Sequence, residues 1–314
     1  MGVGMTRPFR FGLTLERTSD QDRIAEQARR AEDLGYSCMV VTDHLDDRNG
    51  PLVTITAAAL ATSTLRVGTL VLCNDYRHPV VLAKELATLD RLSGGRLEVG
   101  LGAGWMTTDY EQAGLVKDRP AVRIERLAEA VSVLEGCFGD GPFDFAGQHY
   151  TVRGLDAGPK PLQRPRPPLL MAGGGPKMLT LAAQRADIVA VNVSLRAGVI
   201  DERVAADATA EATDEKVALV RDVAGDRLGS VELSVGVFIA AIVEDRRAFA
   251  EALAPGFGIT AEAALDSPHA LFGTVDDCVA VLEERRRRWG VSYVTIPAEA
   301  AAEFAPVVER LAGR

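Results

Sequence analysis

The sequence predicts an α/β protein whose parallel strands close into an eight-stranded (β/α)8 barrel of the TIM type, and three observations carry that prediction. Apolar strand-like runs alternate with amphipathic helical runs along nearly the whole chain. Eight such strands can be counted, and nearly all are apolar on both faces, as parallel strands covered by helices must be. The 314 residues suit eight βα units closed on themselves, for which about 250 residues is typical, better than an open sheet.

The elements follow in order. Residues 9–15 read as the first strand. Ser19-Asp20-Gln21-Asp22 forms a capping box, Ile24, Ala28, Ala31 and Leu34 recur at helical spacing, and Gly35 stops that helix. Strand two covers residues 36–42, a helix follows over 51–62, and strand three covers 65–72. Pro79 opens the next helix and Gly94-Gly95 ends it. Strand four covers 97–101, before a helix carrying Ile124, Leu127, Ala128, Val131 and Leu134. Residues 136–168 are rich in Gly and Pro and read as an insertion, with a hairpin-like piece over 143–152. Alternation resumes with strand five (168–171), a helix from Pro176 and strand six (186–193). A polar helix (213–226) and strand seven (231–239) come next. Residues 254–273 form a second irregular stretch. Thr274-Val275-Asp276-Asp277 caps a helix, and strand eight (291–296) and a helix over 300–311 close the series. The whole chain, 1–314, reads as one domain.

Composition narrows the function classes. With 35 basic and 44 acidic residues, net −9, the chain has no electrostatic footprint for nucleic acid or an anionic membrane. Cys38, Cys73, Cys137 and Cys278 lie far apart, which argues against a zinc ribbon or disulfide scaffold and for a reducing cytoplasm. The most apolar stretch, 52–73, is interrupted by threonines, Ser63 and Arg66, and is no membrane span. No signal peptide is visible. Residues 1–6 fit the short myristoylation pattern, although a frayed start is the preferred reading.

In a barrel of this kind the working residues sit at the C-terminal strand ends. The first strand ends at Glu16, the second in Asp43-His44, and the third in Cys73-Asn74-Asp75-Tyr76. The fourth ends in Gly102-Ala103-Gly104-Trp105 and the fifth in Gly173-Gly174-Gly175-Pro176-Lys177. The last run is the most informative. Its glycines admit close backbone approach, Pro176 starts a helix with bare N–H groups, and Lys177 adds charge, which together suit a phosphate. Gly100-Leu101-Gly102-Ala103-Gly104 has GxGxG spacing and lacks the context of a dinucleotide fingerprint. It reads as room for a flat ligand, with Trp105 as an aromatic wall. His44 can pass a proton near neutral pH, with neighbouring Asp43 holding its tautomer. His78, His149 and His269 read as structural. No His–carboxylate cluster has metal-ligand spacing.

These residues resemble the bacterial luciferase-like flavin and deazaflavin oxidoreductases. The resemblance is carried, in the family's order, by Ala31-Glu32-Asp33-Leu34-Gly35-Tyr36 with Thr42-Asp43-His44, by Leu65-Arg66-Val67-Gly68-Thr69 and by His78-Pro79. It continues through Leu89-Asp90-Arg91-Leu92-Ser93-Gly94-Gly95-Arg96, Gly100-Leu101-Gly102-Ala103-Gly104-Trp105, Gly173-Gly174-Gly175-Pro176 and Leu271-Phe272-Gly273-Thr274. Trp105 with Thr107-Thr108-Asp109-Tyr110 is most similar to the branch that uses coenzyme F420. The resemblance implies a luciferase-like barrel with a deazaflavin or flavin ring at its mouth. It implies a non-prolyl cis peptide, here Leu70–Val71, behind that ring. Positions matching Asp43, Cys73 and Thr108 touch the cofactor in F420-dependent sugar-phosphate dehydrogenases of the family. There the glycine-rich turn holds the phosphate, and the position matching His44 handles a proton. Three departures stand out. Trp105 replaces those dehydrogenases' catalytic glutamate, Met106 replaces an asparagine of many FMN-using members, and Cys73 replaces a hydroxyl.

The expectation is therefore an F420-dependent reductase or dehydrogenase acting on a small organic substrate, with His44, Trp105 and Glu16 as catalytic candidates. The alternatives are an FMN-dependent monooxygenase and a cofactor-binding protein without catalysis. A Schiff-base barrel would want a strand-end lysine, and the only one nearby, Lys177, lies inside the phosphate turn. Relatives suggest a homodimer.

Overall fold

The computed structural model describes residues 7–15 and 21–314, with the side chains of residues 21 and 22 left undescribed. Residues 1–6, Glu16 and the Ser19-Asp20 half of the first capping box lie outside the described residues.

The first half of the chain contributes β1 (Arg10–Leu15), α1 (Gln21–Asp33), β2 (Cys38–Val41), α2 (Pro51–Ala61), β3 (Arg66–Thr69), β4 (Leu72–Cys73), α3 (Pro79–Leu92) and β5 (Leu97–Gly102). Then come α4 (Thr107–Ala113), α5 (Pro120–Phe138), β6 (Phe143–Ala146), β7 (Thr151–Leu155), β8 (Leu169–Gly173), α6 (Pro176–Arg185) and β9 (Ile188–Val191). The rest is α7 (Glu202–Asp207), α8 (Ala210–Ala224), β10 (Glu232–Gly236), β11 (Ile239–Ile242), α9 (Arg246–Phe257), α10 (Ala261–Asp266), β12 (Ala270–Gly273), α11 (Val275–Trp289), β13 (Val291–Pro297) and α12 (Ala301–Leu311).

The sheet runs β3-β2-β1-β13-β10-β9-β8-β5-β4, and β3 also pairs with β5, which closes it. All of these pairings are parallel. β3 and β4 are two halves of one barrel position, so the eight expected strands become the eight staves of a TIM barrel. The break between them is the Leu70–Val71 peptide, which is cis. β2, β5 and β9 are buried at every residue, the pattern expected of strands covered on both sides.

Local sequence explains the helix starts. Pro79 occupies the first turn of α3, and the His78 ring accepts from Val80 N–H at 3.3 Å. Thr274 and Asp277 form the reciprocal cap of α11. The insertion carries the hairpin β6–β7 and is tied down by two carboxylates. Glu129 of α5 accepts backbone N–H groups of residues 148–150, and buried Asp90 of α3 accepts from Leu162 and Gln163.

Two expectations change. Strand seven does not continue over 231–239: β10 ends at Gly236, and β11 leaves the barrel to pair with β12. Residues 254–273 are not irregular but hold the end of α9, then α10 and β12. Alanines 250, 254, 264 and 270 pack there with Phe272 in a small separate cluster. Alanine-rich turns bury a narrow face, and so leave only a weak apolar period in the sequence.

The N-terminal end of the barrel is an ionic plug. Arg10 lies 2.6 Å from Glu98 and 2.7 Å from Glu232, its guanidinium 3.6 Å above the Tyr293 ring. Arg66 also reaches Glu98 at 2.6 Å.

Candidate active site

The C-terminal strand ends open into one cleft of about 2120 Å³. A single drug-sized ligand typically takes about 300–1,000 Å³, so this cleft has room for a large cofactor and a substrate together. Leu70, Val71, Cys73, Asp43, His44, Trp105 and Gly173 to Lys177 all line it, so the barrel brings most of the expected residues to one place. Thr108 does not line it. Thr108 is exposed on α4, whose next residues, Asp109 and Tyr110, are the buried ones.

His44 is organised from α4 rather than from its neighbour. Its Nδ1 lies 2.8 Å from Asp109 Oδ2. Asp109 also accepts from Tyr76 O–H at 3.0 Å and Leu45 N–H at 3.3 Å. A carboxylate bond at Nδ1 places the neutral ring's proton there and leaves Nε2 as the basic nitrogen. Trp105 stands edge-on to the ring at 5.5 Å. Asp43, expected to hold this tautomer, is occupied elsewhere. Its carboxylate takes a forked pair of bonds from Arg77 at 2.6 and 3.2 Å, and accepts from Cys73 N–H at 2.9 Å. Asp43 therefore anchors the third stave's end to the second.

Cys73 is buried, and burial pushes its thiol up to about 11. Its Sγ is 3.6 Å from Tyr110 O–H, which donates to Asp75, itself 2.8 Å from Arg126. Gly104 has φ +75°, and a Cβ there would come within 2.0 Å of the Tyr110 hydroxyl. Arg123 holds the carbonyls of Ala103 and Gly104 at 3.2 Å each, fixing the loop that carries Trp105. Sequence reasoning placed Tyr76 at a strand end without a role, and missed Asp109, Arg77 and Arg123. For Asp109 there was a signal: it stands in the quoted Thr107-Thr108-Asp109-Tyr110 run, one residue past the position chosen.

The glycine-rich turn has two explanations. A Cβ on Gly174 would lie 2.4 Å from the Asn192 carbonyl oxygen, so that glycine is required by the close pass of the next strand's end. A Cβ on Gly175 would meet only Ser194 Oγ at 3.9 Å, so Gly175 faces the cleft. Gly175 precedes the first turn of α6 with no side-chain cap, Pro176 follows, and exposed Lys177 stands beside it. This end suits an anion. Thr42 Oγ1, also on the cleft, is buried without a partner and can pair with a polar ring edge. An apolar bulge at Leu70–Val71, an aromatic wall, an unpaired hydroxyl and an anion-suited turn fit a tricyclic ring with a phosphorylated tail. Among the described residues no group of His, Cys, Asp and Glu could hold a metal ion, and no helix is long and apolar enough to cross a membrane.

Comparison with known proteins identifies the family and the fold. The luciferase-like monooxygenase family model matches residues 1–304. The chain is 30% identical over 186 residues to the 5,10-methylenetetrahydromethanopterin reductase of Archaeoglobus fulgidus, covering 59% of this chain and 54% of that protein. It is 31% identical over 199 residues to the reductase of the same name from Methanopyrus kandleri, covering 59% and 55%. The chain thus spans about half the length of the curated relatives it matches. The solved coenzyme F420 dependent tetrahydromethanopterin reductase from Methanopyrus kandleri shares its fold, with TM-score 0.76 and 20% identity over 97% of this chain and 98% of that one. So does the EDTA monooxygenase of a Chelativorans species, with TM-score 0.75 and 14% identity over 97% and 94%. By the match of a family model over nearly its whole length, this chain belongs to the luciferase-like monooxygenase family.

Proposed function

We propose that this protein is an F420-dependent oxidoreductase, a reductase or dehydrogenase acting on a small organic substrate. The observation that carries the reading is one cleft lined together by the Leu70–Val71 bulge, Trp105, the His44–Asp109 pair and the Gly175–Lys177 turn. The relatives named above, reductases by sequence and a reductase and a monooxygenase by fold, support an enzyme of redox chemistry. When bound, the deazaflavin supplies a carbon that accepts or donates hydride and reacts poorly with oxygen.

The chain's own residues do the rest. The first turn of α6 and Lys177 hold the phosphate end. Leu70 and Val71 back the ring, and Trp105 narrows the space above it. His44 Nε2 takes or returns a proton at the substrate's oxygen or nitrogen, while Asp109 fixes the ring and balances the charge that forms on it. Glu16, the next residue in sequence after β1, remains a proposed second proton group. The second reading is an FMN-dependent monooxygenase, favoured by a likeness of the fold to the EDTA monooxygenase (TM-score 0.75) close to that for the reductase (0.76). The four buried free cysteines suit a reducing cytoplasm. Val53, Leu60, Val81 and Leu92 stand exposed on α2 and α3, and this face suits the expected homodimer.

The test is titration with oxidised F420 and with FMN, followed by visible absorbance. Saturable binding of F420, tighter than FMN, is expected. Tighter FMN with oxygen-dependent turnover would move the assignment to the monooxygenase. Tight binding without turnover over a broad substrate panel would reduce the protein to a carrier. Binding of neither overturns the proposal.

A further inference from the structure

We infer that the β10–β12 side of the cleft is a substrate-recognition pole, where His269 Nε2 accepts a hydrogen bond from a hydroxyl or N–H group on an otherwise apolar molecule. The inference rests on the oxidoreductase reading in one respect, that the occupant is that enzyme's substrate.

His269 is 4% exposed and lines the cleft just before β12. Its Nδ1 lies 2.8 Å from the Gly236 carbonyl oxygen. A carbonyl only accepts, so Nδ1 carries the proton. Burial pushes the imidazole down to about 4, which keeps it neutral at working pH. Nε2 is then a lone-pair acceptor, and it is buried with no partner. Buried polar atoms are nearly always paired, and an unpaired one calls for a ligand, ion or water.

The surroundings define what fits. Phe238 stacks on the imidazole at 4.9 Å, nearly parallel, and seals one face. Beside it, the cleft residues Leu253, Ile259 and Ala264 are apolar and pack in one cluster with Ala270, the next residue in the chain after His269. Ser267 also lines the cleft, but its hydroxyl donates to the Ala208 carbonyl at 2.6 Å. The nearby cations are committed: Lys216 to Asp207, and Arg285 to the carbonyls of Ser267, Pro268 and Ala270. A neutral acceptor in an apolar wall selects one donor. It rejects a carboxylate or phosphate, whose oxygens meet no donor there. Around the ring, β10 is three staves from β2, nearly opposite His44. The donor it reads is therefore remote from the reacting atom, and the pole sets specificity rather than chemistry.

The test uses protein labelled with 15N-histidine and two isomeric probes, 1-hexanol and 1-methoxypentane. They contain the same atoms, but only the alcohol can donate. Hexanol should bind about fivefold more tightly than the ether. It alone should move the unprotonated Nε2 resonance of His269 upfield. His269→Phe keeps a flat ring against Phe238 and should level the two affinities. Should that variant fail to fold, the wild-type spectra stand alone. Equal affinities for the isomers, or an Nε2 resonance that hexanol does not move, would overturn the assignment. Neither probe needs a cofactor. A chain that discriminates the isomers but binds neither F420 nor FMN keeps the pole and loses the oxidoreductase reading. A chain that binds F420 but treats the isomers alike does the reverse.

Discussion

The two ends of this barrel handle charge in opposite ways. At the N-terminal end Arg10, Arg66, Glu98 and Glu232 neutralise one another at 2.6 to 2.7 Å in a nearly closed layer. At the C-terminal end the polar groups leave atoms unspent: Thr42 Oγ1, His269 Nε2, the Nε2 of His44 and exposed Lys177 all belong to residues that line one cleft. Buried charge without a partner is costly, so the end that closes the barrel sets its guanidinium groups against carboxylates. Polar groups at the other end are left for a ligand to meet. The contrast assigns stability to one mouth and binding to the other, in keeping with the general division of labour in such barrels.

That division can be broken at either end. The largest effect expected is from Arg10→Met, which takes the guanidinium from Glu232 and leaves Glu98 with Arg66 alone. Urea unfolding should show a loss of about 3 kcal/mol, while cofactor affinity stays within twofold. A comparable loss of cofactor affinity would show that the ends are not independent.

Next comes a pH effect at the mouth. His269 is held down to about 4 by burial, against an ordinary value of 6.5. Between those values the unfolded chain takes up a proton that the folded chain refuses. Stability should therefore fall as pH drops from about 6.5 toward 4, by up to about 3 kcal/mol, and the slope should flatten in His269→Phe. Parallel pH–stability curves for the two proteins would contradict the buried neutral ring.

His44→Ala should lower turnover by about a hundredfold with cofactor affinity nearly unchanged. Unchanged turnover removes the proton assignment. Asp109→Asn keeps the shape but no longer holds the charged ring, and a smaller loss of about tenfold in kcat is expected, with KM little altered. The smallest effect belongs to Lys177→Ala. FMN affinity should drop by about fivefold and riboflavin affinity should not. An equal drop for both would place Lys177 away from the phosphate.

Much of this was legible because it is local. Strands apolar on both faces, Pro79 and Pro176 opening helices and the Thr274–Asp277 box each lie within one element, and each is where the sequence put it. The Leu70–Val71 bulge and the residues of the mouth followed from the family resemblance and the strand-end rule. What failed was of two kinds. Segment 254–273 hides its helices because alanines give a weak apolar period. Thr108 was carried over from the family resemblance, position by position, and α4 turns the next residue, Asp109, inward instead.

The amino-acid order alone determined the eight alternating units, their covered strands and the collection of His44, Trp105 and the glycine-rich turn at one end. Only the closed barrel decided who partners whom. His44 meets Asp109 across 65 residues, Asp43 is claimed by Arg77 from the next stave, and His269 reaches Gly236 across 33. The physical reason is that helical period, capping and strand burial are set by neighbours in the chain. A side-chain proton is shared with whatever atom the closure of the sheet brings within 3 Å, and no local pattern encodes that.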